Sequence, residues 1–217
     1  MFHVKHSILP AGLQLPIDVS RETLERLDLF VALLLRWNRT INLISRTDEA
    51  IVWQRHIADC LALVPLLPPN FARALDLGSG GGMPGLVLAI ATGRSFGLIE
   101  SDGRKAAFLR EAARETSTEI DIYAMRVETA RPRPADVITA RALAPLNSLL
   151  HLAKPLLADG GICIFPKGRT AVKECDEARM EWDMEIEMFP SFTDASAIIL
   201  RIAAIAPNSC HREASGA

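Results

Sequence analysis

The chain is expected to fold as an α/β protein. It should have a seven-stranded, mostly parallel sheet with an antiparallel last strand pair, plus an N-terminal helical extension. Three observations predict this. From Phe71 onward, short apolar segments alternate with amphipathic ones, the pattern of strands and crossover helices. The last two apolar segments are separated only by Pro190-Ser191-Phe192-Thr193-Asp194, whereas a parallel crossover needs a dozen or more residues. Residues before Pro65 carry helical periodicity instead.

Residues 1–17 lack periodicity and hold Pro10, Gly12 and Pro16, so they read as an arm. A helix begins after Ser20, its candidate N-cap. Leu24, Leu27, Val31 and Leu34 follow helical spacing, and Phe30, Leu33 and Trp37 widen that face. A second helix is expected over 48–64 on Ile51, Ile57, Leu61 and Val64, ended by Pro65, Pro68 and Pro69. Residues 1–70 thus form an arm and helical subdomain. The second domain spans 71–206, with strands at 72–77, 95–100, 120–127, 135–140, 160–165, 184–189 and 197–204. Helices are expected at 84–92, 104–116, 145–157 and 170–181, followed by a disordered tail over 207–217.

Bulk properties bound the function. The 217 residues are 49% hydrophobic, enough for one sizeable core. The net charge of −2 leaves no global footprint for a polyanion, so nucleic acid would need a local basic face. Cys60, Cys163, Cys175 and Cys210 form no CxxC pair, which argues against a metal site and for reduced thiols. The N-terminus lacks an apolar signal region, and no apolar run reaches the ~18 residues of a membrane span. A cytoplasmic protein is expected.

The chemistry concentrates at Leu75-Asp76-Leu77-Gly78-Ser79-Gly80-Gly81-Gly82-Met83-Pro84-Gly85, between a strand and an apolar helix. Glycines there let the backbone turn tightly and approach a ligand. Gly80-x-Gly82-x-x-Gly85 formally satisfies the dinucleotide fingerprint, with Glu100 about 20 residues on. Gly80 is not the first residue of the turn, however. A carboxylate at Asp76 would also oppose a pyrophosphate on the helix N-terminus. S-adenosylmethionine carries a sulfonium and an ammonium and no phosphate, so it suits an acid beside the loop. Asp76 also reads as a helix-capping acid.

The Asp-Leu-Gly-Ser-Gly segment, followed by an acid ending the next strand, resembles the first two motifs of Rossmann-like class I methyltransferases. That resemblance puts Gly78 and its neighbours under the methionine and ribose, and gives Glu100 the two ribose hydroxyls. Val127-Glu128 closes the third strand, where such enzymes line the adenine pocket. Arg141 stands just past the fourth strand, at the sheet edge where active sites gather. The Asn/Asp-Pro-Pro-aromatic signature of amino methylation is absent after that strand, and no cysteine stands there as a nucleophile.

More of the chain matches one family. The glycine loop, Trp37-Asn38 with Ile41-Asn42-Leu43, Arg55-His56-Ile57-Ala58-Asp59, Arg104-Lys105 with Phe108-Leu109, Thr139-Ala140-Arg141-Ala142 and Pro166-Lys167-Gly168 resemble the bacterial glucose-inhibited division protein B family. Those proteins methylate guanine N7 at position 527 of 16S rRNA. The resemblance spans residues 30 to 204. It departs at Gly81, where the family often has Pro, and at Glu100, where Asp is common.

The resemblance implies S-adenosylmethionine as cofactor, held by Gly78, Met83, Glu100, Ser101, Asp102, Val127, Glu128 and Arg141, to which the charge and glycine-turn readings add Asp76 and Gly80. It implies 16S rRNA, the small ribosomal subunit or an assembly intermediate as partner; separately, a monomer is expected. His56, Arg141 and Lys167 are candidates to position substrate. Arg55 and Arg169 are candidates to bind RNA. Each has a plainer reading: His56 paired with Asp59 at i,i+3, Lys167 a solvated turn lysine, the arginines a solvated face. A non-catalytic cofactor-binding, ribosome-associated module and an NAD-linked oxidoreductase are the alternative functions.

Overall fold

The computed structural model describes residues 9, 10 and 12–208. The expected tail beyond Asn208 and the arm's first eight residues lie outside the described residues.

Seven strands form one sheet: β1 (Arg73–Leu77), β2 (Ser95–Ile99), β3 (Ile120–Tyr123), β4 (Ala135–Ala140), β5 (Leu157–Lys167), β6 (Trp182–Pro190) and β7 (Ile198–Pro207). Their order is β3-β2-β1-β4-β5-β7-β6. The first five pair in parallel, and β7 runs antiparallel to both β5 and β6. The central strands are buried on both faces, which explains their nearly continuous apolar runs. Helices fill the crossovers except that from β3 to β4, which holds only a 3₁₀ turn at Val127–Thr129. Along the chain the α-helices are α1 (Arg21–Asn38), α2 (Ala58–Leu61), α3 (Gly85–Thr92), α4 (Gly103–Glu115), α5 (Leu146–Ala153) and α6 (Ala171–Ala178).

Ser20 caps α1, its hydroxyl accepting from Thr23 N at 3.2 Å. The apolar stripe of α1 is buried, with Leu27, Phe30, Val31 and Leu34 fully covered. It packs on the face of the sheet that also carries α3 and α4. Phe30 and Trp37 stand 6.3 and 5.9 Å, ring centre to ring centre, from Phe108 of α4. Arg36 pairs with Glu111, and Arg26 donates to Thr116 O at 2.8 Å, closing the end of α4. The opposite face, with Leu75, Leu77, Ile138 and Phe165, is covered by α5 and α6.

Three elements differ from expectation. The helix expected over 48–64 is broken into a 3₁₀ turn at Arg46–Ile51, a π-helical turn at Trp53–Ile57 and the short α2. The wide turn keeps Val52, Trp53 and Ile57 buried while Arg55 and His56 face back toward Asp48. The third strand ends at Tyr123, so Val127 and Glu128 lie in a separate 3₁₀ turn rather than at its terminus. The chain leaves the sheet there because Tyr123 O takes the amides of both Glu100 and Met125. The helix expected over 145–157 stops at Ala153, where Pro155 forces a 3₁₀ turn.

Candidate functional site

The strand order reverses at β1, which has β2 on one side and β4 on the other. Open α/β sheets bind ligands at the carboxyl ends of strands beside such a switch point. The chain leaves β1 and turns at once. Gly78 and Gly80 have φ of 65° and 53°, a left-handed conformation that a Cβ resists. Ser79 locks the turn: its amide donates to Ile99 O and its hydroxyl to Asp76 O, both at 3.0 Å. A Cβ at Gly80 would meet nothing nearer than Gly78 O at 3.8 Å, so that side of the loop is open. Over Gly78 lies Leu143, whose Cδ1 would be 2.7 Å from an added Cβ.

Glu100 follows β2 and is only 7% exposed. One of its oxygens accepts the Gly80 amide at 2.8 Å and the other the Asp102 amide at 2.7 Å. The carboxylate therefore ties the two loops together. Each oxygen can accept more than one hydrogen bond, so capacity remains for a pair of hydroxyls. Asp102 spends its side chain as the N-cap of α4, accepting from the amides of Arg104 and Lys105 at 2.8 and 3.2 Å. Those amide bonds hold its carboxyl below the usual range. Ser101 is exposed between Glu100 and Asp102.

Two residues expected against the cofactor sit deeper than expected. Asp76 is fully buried on the face of β1 that meets α3. It accepts the Thr139 hydroxyl at 2.7 Å, and its Oδ2 has no hydrogen-bond partner among the described residues. Burial pushes its carboxyl up to about 6, and the Thr139 hydroxyl offsets only part of that. Gly85 makes this packing possible, since a Cβ there would stand 2.5 Å from Asp76 Cβ and from Leu98 Cδ2. Asp76 therefore supports the loop from below. Met83, 5% exposed, packs in the core with Leu34 of α1. Val127 and Glu128 instead line an open cavity of about 690 Å³ with Leu143 and Leu152.

Beyond β4 a second cavity of about 520 Å³ gathers Arg55, His56, Asp59, Arg141 and Lys167. Arg141 donates to His56 Nδ1 at 3.1 Å. A guanidinium can only donate, so Nδ1 accepts and the proton sits on Nε2. Nε2 then donates to Asp48 Oδ2 at 3.2 Å. The imidazole is neutral because burial, helped by the Arg141 charge, lowers its pKa to about 4. Its partner is Asp48, eight residues back, and not Asp59 at i,i+3 as expected. Asp59 instead accepts the Ser191 hydroxyl at 3.1 Å. Arg55 stands 3.6 Å from the other Asp48 oxygen.

Lys167 is not the solvated turn lysine of the plainer reading. Its side chain is 9% exposed and pairs with Glu174 at 2.6 Å. It also donates to Ala144 O at 2.9 Å. Residues 141–144 are thus held at both ends, by His56 and by Lys167, with Leu143 over the glycine loop between them. Arg169 is exposed just past this clamp. Sequence reasoning missed Asp48, Glu174 and Leu143. None belongs to a motif, and only the broken helix brings Asp48 to His56.

The donor set fits S-adenosylmethionine on one observation: the Glu100 acceptors stand beside the open side of the Gly80 turn. Among the described residues no group of three or more His, Cys, Asp or Glu side chains could hold a metal ion. No described helix is long and apolar enough to cross a membrane.

The family model GidB, rRNA small subunit methyltransferase G, matches residues 23–198. Ribosomal RNA small subunit methyltransferase G of Granulibacter bethesdensis is 52% identical over 211 residues, 93% of this chain and 97% of that protein. The protein of the same name from Rhodospirillum centenum is 54% identical over 194 residues, 89% and 90% of the two chains. Among solved structures, N-methyltransferase NodS from Bradyrhizobium japonicum WM9 with S-adenosyl-l-homocysteine superposes with a TM-score of 0.55 at 14% identity. It covers 82% of this chain and 98% of that one. At that identity the likeness concerns the fold alone.

Proposed function

The chain belongs to the GidB family, rRNA small subunit methyltransferase G, and from that premise we propose how its site works. It is an S-adenosylmethionine-dependent methyltransferase of 16S rRNA, and we assign guanine N7, at position 527, as the acceptor atom. Neither alternative is favoured. The family is one of transferases, and Gly80 is not the first residue of the turn as a dinucleotide site asks.

Guanine N7 carries no proton and presents a lone pair at the base edge. It needs no general base, and His56 is not poised as one: it is neutral with both its nitrogens engaged. S-adenosylmethionine, when bound, supplies a methyl on a sulfonium sulfur, whose bond to that carbon breaks as N7 bonds to it. The positive charge thereby moves onto the purine. The protein's work is positioning, and alignment of reacting atoms about 3–3.5 Å apart can supply ~7–11 kcal/mol.

In our reading Glu100 holds the ribose hydroxyls and the Gly78–Gly80 turn follows the amino acid part. Val127 and Glu128 border the adenine, and Ser101 and Asp102 flank it with backbone. Asp76 and Met83 shape the loop from beneath. Arg141, set by His56 and Asp48, faces the guanine O6 edge or a flanking phosphate. Lys167 keeps residues 141–144 in place. Arg55 and Arg169, at the rim, meet the RNA backbone. The base must leave its stack to reach this depth, so a looped or flipped guanine is the substrate form.

The observation that carries this reading is the charged 520 Å³ cavity at the end of β4, lined by Arg141 and Ala142 of the segment whose Leu143 lies over the glycine loop. The test is transfer of label from S-adenosylmethionine to small subunits and to naked 16S rRNA, with the methylated nucleoside identified. Label in 7-methylguanosine at a single site supports it. Label in another nucleoside, or no transfer, overturns the guanine-N7 assignment. We further propose that the enzyme acts as a cytoplasmic monomer. Sedimentation at working concentration, with and without RNA, checks the monomer.

A further inference from the structure

We propose that Asp59 reads the Watson–Crick edge of the target guanine and so determines base specificity. This rests on the guanine-N7 reading above. Adenine and guanine both present an N7 acceptor, so the reacting atom cannot tell them apart. Discrimination must come from the rest of the base. Guanine carries two adjacent donors, N1–H and the N2 amino group, where adenine has an acceptor at N1. A carboxylate only accepts, so it matches the first and repels the second.

The second cavity holds four carboxylates. Asp48 is engaged by His56 and Arg55. Glu174 takes Lys167, the Leu146 amide and Thr170. Asp194 caps its own turn through Ser196 and lies in the field of Arg55 and Arg169. Asp59, on the short α2, is half-buried, and its Oδ1 is fixed by the Ser191 hydroxyl at 3.1 Å. Its Oδ2 has no hydrogen-bond partner among the described residues. It is thus an oriented carboxylate with free acceptor capacity, lining the same cavity as Arg141.

The same contact helps the chemistry. As N7 gains the methyl the purine becomes cationic, and its N1–H becomes a stronger donor. A carboxylate on that edge therefore binds the transition state more tightly than the ground state. Asp59 acts on the turnover step as well as on binding.

The test compares full-length 16S rRNA carrying guanosine or inosine at the methylated position. Inosine keeps N7, O6 and N1–H and lacks only the N2 amino group. For the wild type, inosine should lower kcat/KM by ~10–100-fold, the worth of one hydrogen bond to a charged group. Asp59→Asn should lower it by a similar factor on guanosine, chiefly through kcat, and inosine should then cost little more. Ser191→Ala should show the same pattern more weakly. Wild-type activity equal on the two RNAs overturns the proposal, even if Asp59→Asn fails to fold. Losses from Asp59→Asn and from inosine that multiply in full also overturn it. Failure to methylate guanosine rRNA, naked or reconstituted into small subunits, overturns the guanine-N7 reading and this inference with it.

Discussion

At the scale of single residues, the site contains two buried ionisable groups that respond oppositely to pH. The His56 pKa falls to about 4 in the fold, against an ordinary value near 6.5. A depressed histidine contributes stability that is complete above the unfolded value and is lost as pH falls toward the folded one. Between roughly pH 6.5 and 4 the chain should lose up to ~3 kcal/mol from this group. Asp76 works the other way. Its pKa rises to about 6, so its burial is least costly at low pH, and stability declines as pH rises through that value. The two largely cancel in the wild type across this window. His56→Gln removes one side of the balance. Denaturant titrations at pH 7.5 and 4.5 should show the variant gaining stability relative to the wild type as pH falls. An unchanged difference between the two proteins would contradict the neutral, doubly bonded imidazole.

Glu100 is the second residue whose role can be separated from the fold. Its carboxylate joins Gly80 and Asp102 and, in our reading, the ribose. Glu100→Gln keeps the size but offers one acceptor oxygen and a donor that cannot serve the amides. Calorimetry should show S-adenosylmethionine bound ~10–100-fold more weakly, the worth of one or two hydrogen bonds to a charged group, while the far-ultraviolet spectrum is unchanged. The sequence made this residue legible because an acid at the end of the second strand has a fixed place in the topology. Asp59 was legible only as a neighbour of His56. Nothing in the spacing reveals that Ser191, far along the chain, reaches back to it.

At the scale of elements, strands and capped helices were readable because local chemistry decides them. Ser20 caps where a short polar side chain precedes an apolar stripe, and β1 ends where glycines begin, whereas Asp102, the cap of α4, reads in the sequence only as a cofactor neighbour. The segment over 46–61 was not readable as it stands. Its apolar spacing suits a plain helix, and the π-helical turn is imposed by tertiary demands, namely burial of Trp53 and the bonds of Asp48 to Arg55 and His56. The glycine loop shows a different limit. The sequence identifies five glycines but not their separate duties. Gly85 is there for contact, because Asp76 and Leu98 leave no room for a methyl group. Gly85→Ala should therefore destabilise the chain by ~1–3 kcal/mol, through overpacking between α3 and the sheet. Gly103, with open space around it, should tolerate alanine with little loss. Thermal melts of the two variants check the contrast, and equal effects would show that helix propensity alone governs both.

At the scale of the whole molecule, the question is whether the N-terminal helices and the sheet are one folding unit. Leu27, Phe30, Val31 and Leu34 of α1 belong to the same buried cluster as Leu86 of α3 and Phe108 of α4. Trp53 and Ile57 join it from the broken helix. The pocket is divided between the same parts: Asp48, His56 and Asp59 come from the extension, and Arg141 and Lys167 from the sheet edge. An enzyme assembled this way should lose substrate positioning whenever α1 detaches, even with the glycine loop intact. Phe108→Ala probes the coupling, since it removes the ring that meets both Phe30 and Trp37. It should cost ~3–5 kcal/mol. Unfolding followed by tryptophan fluorescence, which reports Trp37 and Trp53 in the extension and Trp182 at the start of β6, should stay coincident with unfolding followed by circular dichroism. Two separated transitions would mean that the extension folds independently and that the pocket is formed between two units rather than within one.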